Sequence, residues 1–434
     1  MKYYNLKDKK EAVDFKTATI KGQGKEKGLF FPEFIPKFDL DFIENLHQYS
    51  DEEIAFQCMK DFIGDEIPSD VLKEIVSETI NFEIPLKKIN ENIYSLELFH
   101  GPTLAFKDVG ARFMSRILSY FLQDEDKKVT VLVATSGDTG GAVANGFYQT
   151  ENIEVVILYP KNRVSEVQEK QLTALGENIS ALEVDGSFDD CQSLVKQAFS
   201  DKEINLALFL TSANSINVAR WLPQQIYYLL ALKQWQILEK ENPVICVPSG
   251  NFGNICAGIL AHFRGLPAEH FIAACNENDV VPQYLKTQKL EYKETVATLS
   301  NAMDVGNPSN FIRILELFEN HFEDVKSKIS GYSIDDDTTL QTIKEIDKKF
   351  NYLLDPHSSV AYTAMEQYLK ENPGKKGFIL ATAHPVKFPD AVEMAAQVSI
   401  ELPESLKDLM KKEKKSLEIQ ADFAELKRIL LDKN

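Results

Sequence analysis

The chain has 434 residues, a hydrophobic share of 44% and a formal net charge of −18. That length allows two or three domains with substantial cores, and the hydrophobic share is ordinary for a soluble globular protein. The acidic balance excludes a typical nucleic-acid binder, whose footprint is basic, but leaves room for a local basic pocket facing an anionic small molecule.

Residues 1–96 read as a mostly helical N-terminal unit with a short β element near its start. Gly24-Lys25-Glu26-Lys27-Gly28 is a polar turn, and Ile43 to Ile84 carries several helical patterns, among them Val71 to Val76. From residue 97 the pattern changes. Val129 to Thr135 is a β-branched run suited to a strand buried on both faces. Further strands are expected at Ile153 to Tyr159, Ala181 to Val184 and Ala207 to Thr211, with helices at Val164 to Leu175 and Phe188 to Phe199. A second series follows: a helix over Trp221 to Leu238, then strands at Val244 to Val247, Phe271 to Ala274 and Phe378 to Ala381. Residues 276–315 look loop-rich, and the charged tail from Pro403 reads as a solvated helix. The alternation means βαβ units and parallel sheets. The division expected is 1–96, 97–225 (a smaller βαβ domain) and 226–434 (a larger α/β domain).

The five cysteines show no CxxC pair or disulfide-like spacing, which suggests reduced thiols and a cytoplasmic setting. Cys246 lies in an apolar run and is expected in the core. The first ten residues have no apolar signal core. No stretch is apolar enough to span a bilayer, so no membrane partner is expected.

One stretch concentrates chemistry. In His100-Gly101-Pro102-Thr103-Leu104-Ala105-Phe106-Lys107, a turn pair precedes a short apolar run that delivers one lysine. Val109, Phe113, Ile117, Leu118, Phe121 and Leu122 then recur at helical spacing. An ammonium at the mouth of such a helix is partly desolvated, which frees the amine as a nucleophile for Schiff-base chemistry. The competing reading is a lysine snorkelling at a helix start.

Three polar loops follow predicted strands: Ser136 to Gly141, Ser249 to Asn254, and Thr382 to Pro385. Ligands bind at that edge of open α/β sheets. Gly250-Asn251-Phe252-Gly253-Asn254 can converge backbone N–H groups on an anion beside a helix N-terminus. Asn214 to Arg220 groups two amides, a hydroxyl and a guanidinium, suited either to a phosphate or to a capped helix start. There is no Walker A pattern, no strand-borne GxGxxG and no HExxH, so neither a nucleotide nor a metal site is expected. His357 and His384 read as structural or anion-facing rather than catalytic.

Taken together, these segments resemble the threonine synthase family, pyridoxal-phosphate enzymes of fold type II, in its longer bacterial and fungal form. The resemblance rests on Phe99 to Asp108, Thr135 to Gly140, Ser212 to Asn217, Ser249 to Asn254, Asn307-Pro308-Ser309-Asn310-Phe311, Asp355-Pro356-His357 and Ala381 to Phe388, in family order over nearly the whole chain. Val386 and Gly141 are small departures, each replacing a more usual alanine. The resemblance implies an α/β fold of two parallel-sheet βαβ domains plus the N-terminal mostly helical unit. It also implies pyridoxal 5'-phosphate, carried by Lys107, which then serves as acid and base. Gly250, Asn251, Phe252, Gly253 and Asn254 would hold the cofactor phosphate, and Thr382 the pyridine nitrogen. Asp138 would stand near the phenolic oxygen, where shorter relatives have an asparagine; two anions there would repel, leaving its role open. Ser136 and Thr139 would hold the substrate carboxylate; Asn214, Ser215, Asn217 and Arg220 would hold its phosphate. The implied reaction takes O-phospho-L-homoserine and water to L-threonine and phosphate, in a monomer or homodimer. The alternatives are a phospho-homoserine lyase ending at a keto acid, and a non-catalytic binding protein on the same scaffold.

Overall fold

The computed structural model describes residues 1–123 and 128–432. By internal contacts the chain forms two compact units, each assembled from separate stretches. The first comprises Met1, Phe31–Phe106 and Trp221–Glu401; the second Lys2–Phe30, Lys107–Arg220 and Leu402–Asn434. The grouping is thus discontinuous, unlike a division into consecutive segments.

The first unit is built on a six-stranded sheet in the order 329–333, 270–275, 244–248, 377–381, 93–97, 86–88. Every neighbouring pair is parallel except the last, where Leu86–Lys88 runs antiparallel to Ile93–Glu97. Val244–Pro248 is buried at every position, as is Gly377–Ala381, which suits strands covered by helices on both faces. Cys246, Ile272 and Ile379 pack with Val360, Ala364 and Met365 of the helix Pro356–Glu371 in one core. The N-terminal helices Asp51–Ile63 and Ser69–Thr79 belong to this unit and pack on each other.

The second unit carries a five-stranded, all-parallel sheet in the order 416–420, 179–185, 153–160, 129–134, 209–211. Val129–Ala134 pairs with Ile153 to Leu158, all six residues buried, as its β-branched run predicts. The helix Lys107–Leu122 buries Val109, Phe113, Ile117, Leu118, Phe121 and Leu122, the residues picked out by helical spacing. It packs tightly on Asp138–Phe147: a β carbon on Gly146 would stand 3.0 Å from the Ala111 carbonyl carbon.

One expectation changes. The tail from Pro403 is not a solvated helix. Ser416–Gln420 adds a parallel strand to the edge of the sheet beside Ile179–Asp185, and the helix Phe423–Asp432 sends Leu426, Ile429 and Leu430 into the core around Leu158, Leu182 and Leu194. Its charges occupy the outer face, which hid the apolar one. Residues 276–315 are loop-rich as expected, around the helix Val280–Thr287 and the one-turn Asn301–Met303. All five cysteines are buried thiols, Cys246 fully so. Among the described residues, no helix is long and apolar enough to cross a membrane.

Candidate active site

In the first unit, the stretch before Lys107 is stitched to the loop that follows Gly377–Ala381. Phe106 N–H donates to the Thr382 carbonyl at 2.9 Å, and His384 N–H to the Leu104 carbonyl at 3.1 Å. Ala105 and Ala383 form an antiparallel bridge. The Lys387 ammonium, wholly buried, donates to the Thr103 carbonyl at 2.9 Å, and the Tyr227 hydroxyl donates to the Phe106 carbonyl. Leu104 takes φ +56°, a strained value for a branched residue, so the segment is held by its surroundings. The lysine therefore enters its helix from a main chain fixed on both sides, one residue after the bond to Thr382.

The loop Ser249 to Asn254 leaves Val244–Pro248 at its carboxyl end and opens the helix Gly253–Phe263. Phe252 adopts φ +61°, the left-handed turn that starts the helix. Asn254 holds the loop from inside: its Nδ2 donates to the Pro248 carbonyl at 2.8 Å, and its Oδ1 accepts from Ile255 N–H at 2.9 Å. The Tyr228 hydroxyl donates to the Asn254 carbonyl at 2.7 Å. From outside, Asn251 Oδ1 accepts from Ser309 N–H at 2.7 Å, and the Asn251 carbonyl accepts from Asn310 Nδ2 at 3.2 Å. Asn310 is itself held by Arg313 Nη1 at 2.7 Å. Arg313 is buried against the Trp221 ring, 4.3 Å away. The Asn307 to Phe311 motif thus braces the glycine loop.

In the second unit, Lys107 Nζ lies 3.7 Å from Asp138 Oδ2, the lysine side chain 15% and the carboxylate 4% exposed. A carboxylate therefore faces the amine, where the sequence suggested mainly apolar walls. Asp138 Oδ1 accepts from Gln168 Nε2 at 2.9 Å, and Gln168 also closes a capping box with Ser165. The Thr135 hydroxyl gathers the preceding loop by accepting from Gly137 N–H at 3.0 Å and Gly140 N–H at 2.9 Å. Ser136 and Thr139 reach the surface between buried neighbours. In the Asn214 to Arg220 loop, Asn214 and Ser215 are partly exposed. Asn217 is buried and fully engaged: Nδ2 donates to the Thr19 carbonyl at 2.8 Å, and Oδ1 accepts from Ala219 N–H at 3.0 Å. Arg220 is also buried, and its Nη1 donates to the Ala213 carbonyl. A β carbon on Gly110 would stand 2.8 Å from the Arg220 carbonyl oxygen, which explains glycine at the first turn of the lysine helix.

The three polar loops thus follow the carboxyl ends of the parallel strands Val129–Ala134, Val244–Pro248 and Gly377–Ala381, the edge where such sheets bind ligands. Gln168 and Lys387 were missed as separate candidates. Lys387 stood inside a recognised motif; Gln168 lies in another helix and gave no local signal. Among the described residues, no cluster of His, Cys, Asp and Glu could hold a metal ion.

Comparison with known proteins decides the family. The model described as Threonine synthase N terminus matches residues 2–80, Pyridoxal-phosphate dependent enzyme matches 78–382, and Threonine synthase, C-terminal matches 358–430. The chain is 46% identical to threonine synthase of Escherichia coli (strain K12) over 433 residues, covering 100% of both chains. The chain belongs to the threonine synthase family. It is 37% identical to the threonine synthase of Saccharomyces cerevisiae, covering 96% of this chain and 94% of that one. The crystal structure of the Escherichia coli family member superposes with TM-score 0.93 at 45% identity over 100% of both chains. A PLP-bound threonine synthase from Brucella melitensis gives 0.93 at 35% identity, covering 100% of this chain and 99% of that one.

The fold is accordingly that of the fold type II enzymes, and pyridoxal 5'-phosphate is the cofactor. The residues suit it. A lysine amine stands at a helix start beside a carboxylate. A glycine loop, too tight at Gly250 for any side chain, opens an 11-residue helix. The first amides of a helix have no intrahelical partner and sit at its positive dipole end, which suits a dianionic phosphate.

Proposed function

We propose that this chain converts O-phospho-L-homoserine and water to L-threonine and phosphate. The observation that carries the reading is the placement of Lys107: a poorly exposed amine 3.7 Å from Asp138, at a helix start. Its preceding residue bonds to Thr382. A degenerate binding scaffold has no need of that arrangement.

When bound, the cofactor supplies an electron sink that stabilises negative charge at the substrate's α carbon. Lys107 attaches it, then moves protons at the α and β carbons. The backbone of Gly250 to Asn254 holds the cofactor phosphate, and the Thr382 hydroxyl bonds the pyridine nitrogen. Asp138, oriented by Gln168, stands beside the Lys107 amine and would steady its ammonium form once the α proton has been taken. Ser136 and Thr139 bind the substrate carboxylate, being the partly exposed members of a loop gathered by Thr135. Asn214 and Ser215 meet the leaving phosphate directly. Asn217 fixes that loop to the Thr19 segment, and Arg220 supplies its positive charge. The buried thiols fit a cytoplasmic setting, and a monomer or homodimer suffices for the roles above.

The test is product analysis. Purified holoenzyme given O-phospho-L-homoserine is expected to release one phosphate for each L-threonine formed. Phosphate accompanied instead by a keto acid and ammonia would assign the lyase activity, and no turnover at all would leave only a binding protein.

A further inference from the structure

The imidazole of His357 is 3% exposed and has no part in the roles above. Ala302 N–H donates to its Nε2 at 3.2 Å. A main-chain N–H can only donate, so Nε2 carries the lone pair and the ring proton sits on Nδ1. Nδ1 then donates to Asp355 Oδ2 at 2.7 Å. Asp355 caps the helix Pro356–Glu371, accepting from Ser358 N–H at 3.0 Å and His357 N–H at 3.1 Å. The ring cannot slide, because Phe388 lies against it with centroids 4.8 Å apart.

Ala302 belongs to the turn Asn301–Met303, which forms the wall behind the glycine loop. A β carbon on Gly250 would stand 2.6 Å from Met303 Cα and 3.0 Å from the Ala302 carbonyl oxygen. The far end of the turn is pinned by Asp304, which accepts from Thr298 Oγ1 at 2.7 Å and from Asn276 Nδ2 at 2.9 Å. A continuous series of contacts therefore runs from the Asp355 carboxylate through a neutral imidazole and the Ala302 amide to the backbone of Gly250.

We infer that His357, oriented by Asp355, is a positioning residue that fixes the Asn301–Met303 turn and so sets the shape of the loop that grips the cofactor phosphate. The inference rests on the proposed role of Gly250 to Asn254. It makes His357 an acceptor, so an acceptor at the Nε2 position should replace it. In His357→Gln, the side-chain oxygen can take the Ala302 N–H. In His357→Phe, ring volume is kept and the acceptor is lost.

The experiment equilibrates each holoenzyme against graded pyridoxal phosphate and reads bound cofactor by absorbance, with kcat per bound cofactor on the same samples. His357→Phe should weaken cofactor affinity roughly tenfold, the effect of one buried donor left unpaired. His357→Gln should remain within about threefold of the parent on the same reasoning, and kcat per bound cofactor should be unchanged in both. A folded His357→Phe with parental affinity, or a His357→Gln as weak as His357→Phe, would overturn the inference. If His357→Phe does not fold, Ala302→Pro removes the same N–H from the other side, and parental affinity there would overturn it equally. Gly250→Val separates the two levels: if it keeps full cofactor affinity, the phosphate loop itself has been misplaced, whatever His357 does.

Discussion

In the proposed reading Lys107 carries the chemistry, and its main chain and its amine are constrained separately. Phe106, Ala105 and Leu104 are bonded to Thr382 to His384 before the helix begins, and the amine faces Asp138. Lys107→Ala removes the covalent attachment and the proton carrier together, while the helix keeps its buried face. Turnover should fall by more than the roughly 10²–10⁴-fold typical of one general base, with the circular dichroism of the folded protein retained. A folded Lys107→Ala variant that makes threonine at the parental rate would remove this lysine from the mechanism. The sequence singled out this lysine because a turn pair and a helical repeat flank it, and the structure does place it at a helix start. The partners of Asp138 were not legible there: Gln168 lies thirty residues away in another helix, and no spacing rule connects them. The same limit applies to Asn217. Its type suggested a ligand contact, but only the fold reveals that its amide anchors Thr19.

At the scale of elements, buried parallel strands declared themselves through continuous β-branched runs, and the structure places the polar loops after them at their carboxyl ends. The C-terminal segment did not declare itself. Ser416–Gln420 is a mostly exposed edge strand, and Phe423–Asp432 hides a narrow apolar face under charge. Composition alone could not separate that from a solvated helix. Its packing gives a direct check. Leu426 is fully buried in the core of the second unit, so Leu426→Ala should cost about 2–5 kcal/mol in chemical denaturation, the range for emptying a leucine site in a packed core. An unchanged unfolding midpoint would mean the segment is not part of that core.

For the molecule as a whole, the discontinuous make-up of the two units was invisible to periodicity, which registers elements but not which distant stretches pack together. Stability against acid is a property at this scale. His270 is buried, stacked on Tyr368 with centroids 5.0 Å apart. Burial, then the nearby Lys328 charge, pushes its pKa down to about 4. His384 is likewise held down to about 4, by burial and then by His100. An unfolded histidine titrates near 6.5. Between those values the unfolded chain binds more protons than the folded one, so the stability present above pH 6.5 should be lost as pH falls toward 4. Thermal melts across that window should show a falling midpoint, and His270→Phe should make the fall shallower. An identical fall in the variant would exclude His270 from it.

The proposed conversion implies loss of phosphate from the γ carbon and addition of water at the β carbon, and it is tested most directly by running the reaction in H₂¹⁸O. Elimination breaks the carbon–oxygen bond, so the ester oxygen leaves with the phosphate and the new hydroxyl comes from solvent. The expected result is L-threonine with one ¹⁸O in its side-chain hydroxyl and phosphate released without label. Labelled phosphate together with unlabelled homoserine would show simple ester hydrolysis and contradict the account.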